Sequence, residues 1–217
     1  MALSFSGVLD RAAVVRASDQ LVDLVAADAT AAAWERESAL PGMTVGGLAR
    51  HLVSQPECAA EFLAIELPAQ TETVPLVEYY ERVDWLDAGI EEEANTSIRD
   101  GFNALGAQGL DASLAVLDRS RTDLVAAIIA AGPATYVPWQ GCALDTDDFL
   151  VCRLMEIVVH ADDLATSVGL PTLPFDDDVY GPVLGLLAAL SARRHGAQAV
   201  LRSLARTERA GGSISAF

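Results

Sequence analysis

The chain has 217 residues with 14 basic against 31 acidic side chains, a formal charge of −17, and is 52% hydrophobic and 21% charged. That length and hydrophobic content support one domain with a core of its own and exclude intrinsic disorder. The acidic excess repels phosphate backbones and anionic headgroups, so nucleic acid and membrane surfaces are excluded as expected partners.

Helical periodicity dominates the chain, and the fold class expected is all-α. Ser6 is placed to cap a first helix that runs to about Ala27, with Val8, Ala12, Val15, Val22 and Val25 at helical spacing. A connector from Trp34 to Met43 closes on Pro41-Gly42, and Thr44 then caps a second helix carrying Val45, Leu48, Leu52 and Phe62. Pro56 falls inside that pattern, where its ring removes a donor to the Leu52 carbonyl and crowds it, so the helix kinks or restarts there. A breaker-rich loop, Leu67 to Pro75, leads to a third helical stretch from Leu76 to Leu105, interrupted near Gly89. Gly106 to Gly109 leads to a fourth, Leu110 to Ala131. Four such helices predict a four-helix up-and-down bundle.

The segment Gly132 to Leu144, with Pro133, Tyr136, Pro138, Trp139 and Gly141, reads as a loop. Its aromatic residues either line a pocket mouth or cover the core. Asp147 or Asp148 is placed to cap a fifth helix reaching Ser167, which Gly169, Pro171 and Pro174 end. Asp176 to Asp178 begin an additional C-terminal helix to about Arg194, followed by a tail from Gly196. The expected organisation is a bundle over residues 1–170, with the helix and tail of 171–217 packed on the same domain.

The three cysteines, Cys58, Cys142 and Cys152, are an odd number without CxxC spacing, which argues against a disulfide framework or a cysteine zinc site. With Asp10 and Arg11 where a secretory apolar segment would lie, the chain reads as cytoplasmic. The longest nearly uncharged stretch, Val179 to Ala192, is broken by Gly181-Pro182 and Gly185 and is shorter than the ~20 residues of a membrane span. A homodimer is a candidate assembly.

The most informative segment is Phe149 to Ser167. At about 100° per residue, Phe149, Arg153, Glu156, His160, Asp163 and Ser167 fall within roughly 80° of one another, flanked by apolar Cys152, Leu154, Ile157, Val159 and Leu164. A polar stripe on so apolar a helix points into the bundle, where charge must be neutralised, paired or bound to metal. Glu156 and His160, at i and i+4, can offer two ligands to one ion, and His51, beside Leu48 and Leu52 on the second helix, is the candidate third. Two histidines and one carboxylate suit zinc or another divalent transition metal, with positions left open for water or substrate. The alternative for the pair is an ordinary helical Glu–His contact.

Two stretches carry a resemblance. Trp34 followed by Leu40-Pro41-Gly42-Met43-Thr44-Val45-Gly46-Gly47-Leu48-Ala49-Arg50-His51-Leu52 resembles the first signature of the DinB-like superfamily, in the branch named for mycothiol-dependent maleylpyruvate isomerase. Arg153, Glu156, His160, Asp163 and Leu164 stand at the spacing of the second. The resemblance runs from the first helix to about Leu170. It implies a bundle whose metal is held by His51, Glu156 and His160, and mycothiol as a co-substrate whose thiolate adds to an electrophilic small molecule. The expected function is thus a metal- and thiol-dependent transferase or isomerase. The alternative is a non-catalytic metal-binding bundle that acts as a binding or regulatory protein.

Two further side chains have double readings. Arg153 either grips an acidic substrate, for which a bidentate guanidinium is suited, or forms a salt bridge with Glu156 or a neighbouring carboxylate. Asp163 either accepts an imidazole N–H behind the metal or is a plain helix-face carboxylate. Cys152 reads as packing, and His195, near a helix end with Arg193 and Arg194, as structural.

Overall fold

Nine α-helices, a short 3-10 turn and a two-stranded hairpin make up the described part of the chain, residues 3–86 and 88–217 of a computed structural model. The helices are α1 (Arg11–Val25), α2 (Asp28–Ala33), α3 (Val45–Leu63), α4 (Leu76–Glu81), α5 (Glu93–Gly106), α6 (Leu110–Ala130), α7 (Thr146–Val168), α8 (Asp177–His195) and α9 (Ala197–Ala205). Among the described residues no helix is long and apolar enough to cross a membrane.

The expected four-helix bundle is formed by α1, α3, α6 and α7, with α1 and α3 each packed against both α6 and α7. Buried side chains recur at helical spacing on each wall: Ala13, Ala17, Leu21 and Leu24 on α1, and Val45, Leu48, Leu52 and Ala59 on α3. The starts of α1 and α7 meet where Arg11 Nε lies 2.6 Å from Asp147 Oδ1, so these helices run parallel. His51 faces His160 while Gln55, one turn later, faces Arg153, one turn or more earlier, so α3 runs against α7. The helix directions in chain order are up, down, down, up. The adjustment to simple alternation comes from the stretch 76–105, which breaks near Gly89 as expected. Its second half, α5, lies along α3 and carries the chain back to the end where α3 begins. Only Gly106 is buried in α5, so this helix lacks the apolar face a bundle wall needs.

Three local expectations are corrected. Asp10, not Ser6, caps α1, its side chain accepting from the Ala12 N–H, while Ser6 Oγ donates to Asp145 at 2.7 Å. Asp145 caps α7, because Asp147 and Asp148 are taken by the N-terminal segment: Asp147 accepts from Gly7 N and Arg11, and Asp148 from Ser4 and Phe5 N. The segment read as a loop is a hairpin, β1 (Ala134–Val137) against β2 (Cys142–Asp145), turning through Pro138 to Gly141. Thr135 Oγ1 and Thr146 Oγ1, 2.9 Å apart, tie its open end to the start of α7. Beyond α8, which packs on α7 and α1, part of the expected tail is helical as α9.

The glycines of the first signature have a packing cause. Trp34 Nε1 donates to the Gly106 carbonyl at 2.9 Å and covers Gly46. A Cβ on Gly106 would stand 2.5 Å from the Gly46 carbonyl carbon and oxygen, and one on Gly47 would stand 2.3 Å from Asn103 Oδ1. That same Asn103 oxygen accepts from Thr44 N at 2.9 Å. The close approach of α5 to the start of α3 sets how deeply α3 sits. Gly106→Ala is expected to lower stability by ~1–3 kcal/mol, since backbone must move to admit the methyl. On the same helix, Gly101→Ala has open space and should gain about 0.5–1 kcal/mol. Urea denaturation midpoints of the two variants read the difference directly, and equal midpoints would refute the packing account.

Candidate metal centre

Helix α7 is buried around most of its circumference, with Leu150, Leu154, Met155, Ile157, Ala161 and Leu164 packed in the core. Its polar stripe faces α3 and emerges toward solvent through Glu156 and His160, while Asp162 and Thr166 are exposed on the outer side. His51 comes from the second turn of α3, which starts at Thr44, whose Oγ1 accepts from Gly47 N at 2.9 Å.

Pro56 stays within α3 and leaves the turn before it short of a donor. Two side chains crowd into that turn: Ser54 Oγ and Gln55 Nε2 both donate to the His51 carbonyl, at 2.6 and 3.0 Å. The residue that presents an imidazole to the bundle interior therefore has its backbone pinned by its own neighbours.

The three side chains expected to converge do so. Glu156 Oε2 lies 3.0 Å from His160 Nε2 and 3.5 Å from His51 Nε2, and the imidazoles stand edge to face with centroids 4.5 Å apart. One ligand-type atom from each of the three falls within 4.8 Å of the others, close enough to share one ion. Their side chains are 13–17% exposed, so the cluster is sheltered yet reachable. Phe102 of α5 packs edge-on against His51, its centroid 4.3 Å away, and shields that ring from one side.

The donor set fits a divalent cation. Burial resists the charge on Glu156, but the bond from His160, the close approach of His51 and the nearby Arg153 charge outweigh it and hold the carboxyl well below its ordinary range. Burial also opposes protonation of His160, and the carboxylates of Asp163 and Glu156 on its two nitrogens outweigh that, raising it to about 9. His51 moves the other way: burial lowers it further than Glu156 can raise it. A proton on His160 Nε2 thus bridges to Glu156 at the place a cation would take, and neutral His51 keeps a nitrogen lone pair available.

The comparison with protein families agrees with this geometry. Residues 14–165, well over half the chain, match the model of the mycothiol maleylpyruvate isomerase N-terminal domain. The chain belongs to this family. No curated protein and no solved structure gives a match. The match begins within α1 and ends within α7, so it spans all four bundle helices and every member of the cluster.

Within this domain of the mycothiol maleylpyruvate isomerase type, the remaining candidates fall out as follows. Asp163 Oδ2 lies 3.0 Å from His160 Nδ1, the position of an acceptor that orients the ring. Arg153 forms no ion pair with Glu156: among the described residues it has no carboxylate oxygen within 4.0 Å, and its Nη1 donates instead to Gln55 Oε1 at 2.8 Å. His195 is structural, its Nε2 2.8 Å from the Ser215 carbonyl. Cys152 is buried packing. Sequence reasoning missed Gln55 and Phe102. Gln55 stands four residues after His51 on one face of α3, a spacing that could have exposed it, whereas nothing in the local pattern of α5 marks Phe102.

The pH dependence of the metal-free protein follows from these shifts. The raised His160 contributes stability that is complete below its unfolded pKa of ~6.5 and disappears as pH rises through about 9. The lowered Glu156 contributes above its unfolded value of ~4.5 and loses that contribution as pH falls. In chelator-treated protein, wild type should exceed His160→Gln by roughly 1–3 kcal/mol near pH 5.5, with the gap shrinking steadily to pH 9.5. Urea titrations at three pH values measure it, and a gap that is flat or widens with pH refutes the charge assignment.

Proposed function

We propose that this chain is a divalent-metal enzyme, with zinc the metal, that directs a low-molecular-weight thiol onto an electrophilic small molecule as a transferase or isomerase. The observation that carries this reading is the meeting of His51, Glu156 and His160 in a domain whose family is named for a mycothiol-dependent isomerase. Three protein ligands leave a position open, the arrangement of catalytic rather than structural zinc.

A divalent ion held by the three residues would supply the positive charge that lowers a thiol's pKa, so that thiolate exists at neutral pH. The protein's own side chains arrange the rest. Asp163 holds the His160 Nδ1–H and so aims Nε2 at the site, Glu156 balances one positive charge, and Phe102 keeps water from one edge of His51. Addition forms a bond from thiolate sulfur to the β-carbon of a conjugated electrophile as the π pair moves toward the activating group. Rotation and reversal return the alkene with changed geometry and the thiol intact, which is isomerisation. Return of the thiol's proton to the carbon that received the electron pair leaves an S-conjugate, which is transfer.

The protein's cysteines favour an external thiol. All three are free, and burial pushes the Cys58 and Cys142 thiols up and that of Cys152 up to about 12, so none is poised as a nucleophile. A thiol co-substrate and free cysteines both suit a reducing compartment such as the cytoplasm.

Two measurements test the reading. Protein from zinc-supplemented expression should carry close to one metal per chain, and folded His160→Ala less than ~0.1. Metal below that level in folded wild type overturns it. With metal present, loss of a conjugated electrophile such as an enedioyl compound should require added mycothiol and fall at least ~100-fold without it. Turnover indifferent to the thiol removes the thiol chemistry while leaving the metal site standing.

A further inference from the structure

The charge of this chain is segregated. From Arg193 to Phe217 there are five arginines, and Glu208 is the sole acid, in a chain whose net charge is −17. Arginines of the bundle are matched: Arg11 pairs with Asp147, Arg16 with Asp10, Arg50 with Glu57 and Arg121 with Asp19. Among the described residues Arg202, Arg206 and Arg209 have no ion pair and no side-chain hydrogen bond, although Glu208 stands between two of them in the chain. The dipole at the end of α9 favours Arg202 and Arg206. It does not account for Arg209, which lies past the helix and is brought back to the same place.

The backbone builds a cleft around these side chains. Val200 is the buried anchor of α9, and a 3-10 turn, Thr207–Arg209, reverses the chain with Arg209 N donating to the Arg206 carbonyl at 3.0 Å. The returning tail is fixed to the body. Ser191 Oγ donates to the Ile214 carbonyl at 2.6 Å, His195 Nε2 to the Ser215 carbonyl at 2.8 Å, and the Phe217 ring packs on Trp85 with centroids 5.7 Å apart. Between α9 and this tail lies a cleft of about 230 Å³, whose lining includes Arg202, Ser203, Arg209, Gly211 and Gly212. These residues offer donors: two guanidinium groups, the Ser203 hydroxyl and the N–H groups of the two glycines, none of them bonded to another described residue. No carboxylate is in the lining. A second cleft of about 500 Å³ adjoins it across Arg202 and Arg209, and adds Arg206 beside apolar Leu201 and Ala205. Neither cleft shares a residue with the His51–Glu156–His160 cluster.

Donors without acceptors, gathered with unneutralised positive charge, are complementary to an oxyanion that has several oxygens and more than one charge. A phosphate monoester meets that description, with three acceptor oxygens and a charge near about −2 at neutral pH. The repulsion of the acidic body is screened beyond about 8 Å at physiological salt, so the local arginines decide what enters. Arginine's planar fork is suited to phosphate oxygens. Leu201, 66% exposed, gives the neighbouring cleft an apolar surface for the rest of a ligand.

We propose that the cleft between α9 and the C-terminal tail binds the phosphoryl group of a small phosphate monoester, with Arg202 and Arg209 as its counter-ions and the organic part lying against Leu201 and Ala205. The site stands apart from the thiol reading and from the metal.

The test is calorimetry of the full chain with phenyl phosphate, at constant ionic strength, before and after treatment with a chelator. Phenyl phosphate should bind saturably and equally in both, and about tenfold or more weakly in the R202Q/R209Q double variant. A control away from the cleft, Arg119→Gln, should stay within about threefold of wild type. Benzoate should bind about tenfold or more weakly than the phosphate ester, and the ester's affinity should fall as pH drops through its second pKa of about 6. In NMR titrations the amide signals of Ser203, Gly211 and Gly212 should move with the ester. Absence of saturable binding, equal affinity in the double variant, benzoate binding as tightly as the ester, or loss of binding on chelation overturns the proposal. So does binding of a short DNA duplex or a phosphatidylserine vesicle through these arginines while the ester is ignored. Should the double variant not fold, the NMR map decides, and shifts confined to residues outside the two clefts overturn the site.

Discussion

Keeping Glu156 ionised inside a helical bundle is the constraint around which the α3–α7 seam is organised. Its burial would by itself protonate the carboxyl. The opposing charge is that of His160, held between Asp163 and Glu156 on one helix face, while His51 adds a hydrogen-bond contact from α3 and Arg153 a more distant positive field. Remove His160 and Glu156 is left buried without its paired charge; remove Glu156 and His160 loses the same balance. The cluster tolerates little change in the distance between α3 and α7, and the packing away from it is correspondingly tight. Gly46 against Gly106, sealed by Trp34, lets α5 press the start of α3 at backbone contact, about one and a half turns from His51.

This links the two recognisable stretches of sequence through one cause. The glycines and tryptophan of the first place α3, and the acid and imidazole spacing of the second places the charge that α3 must meet. The Glu–His pair was legible because a single helix fixes i and i+4 on one face. His51 was legible as a site residue only through its neighbours on an apolar helix face and the signature it ends. Two features were not, one hidden by contacts across more than a hundred residues and the other by its shortness. Asp147 and Asp148 have the composition of helix caps, but the N-terminal segment at Ser4, Phe5 and Gly7 claims them and leaves the cap to Asp145. The hairpin was hidden because strands of only four residues, set between Gly132-Pro133 and the turn from Pro138 to Gly141, carry no usable alternation, and it is stabilised by Thr146 bonds to Thr135 and the Gly132 carbonyl.

The path of the chain follows from the same economy of apolar surface. The sequence pattern of 76–105 is helical, and helicity alone suggested a bundle wall. Residues of α5 pack only partly, however, while α7 offers apolar side chains around most of its surface and requires neighbours on several sides. The fourth wall is therefore α7, the helix that carries Glu156 and His160, with α8 covering part of what the bundle leaves open. Placing the polar stripe on the most buried helix is what raises the energetic stakes of each charge upon it.

Pro56 shows how a backbone defect can serve a site. It withholds the N–H that would reach the Leu52 carbonyl, and in the adjoining turn Ser54 and Gln55 donate to the His51 carbonyl. Gln55 then turns its oxygen toward Arg153 and gives the guanidinium a neutral contact. The seam thus grades from charged at His51 and Glu156, through an amide-supported cation at Arg153, to aromatic at Phe62, Phe149 and Trp139. The two ends of the seam therefore differ in what they can stabilise, charge at the histidine end and apolar or aromatic surface at the other.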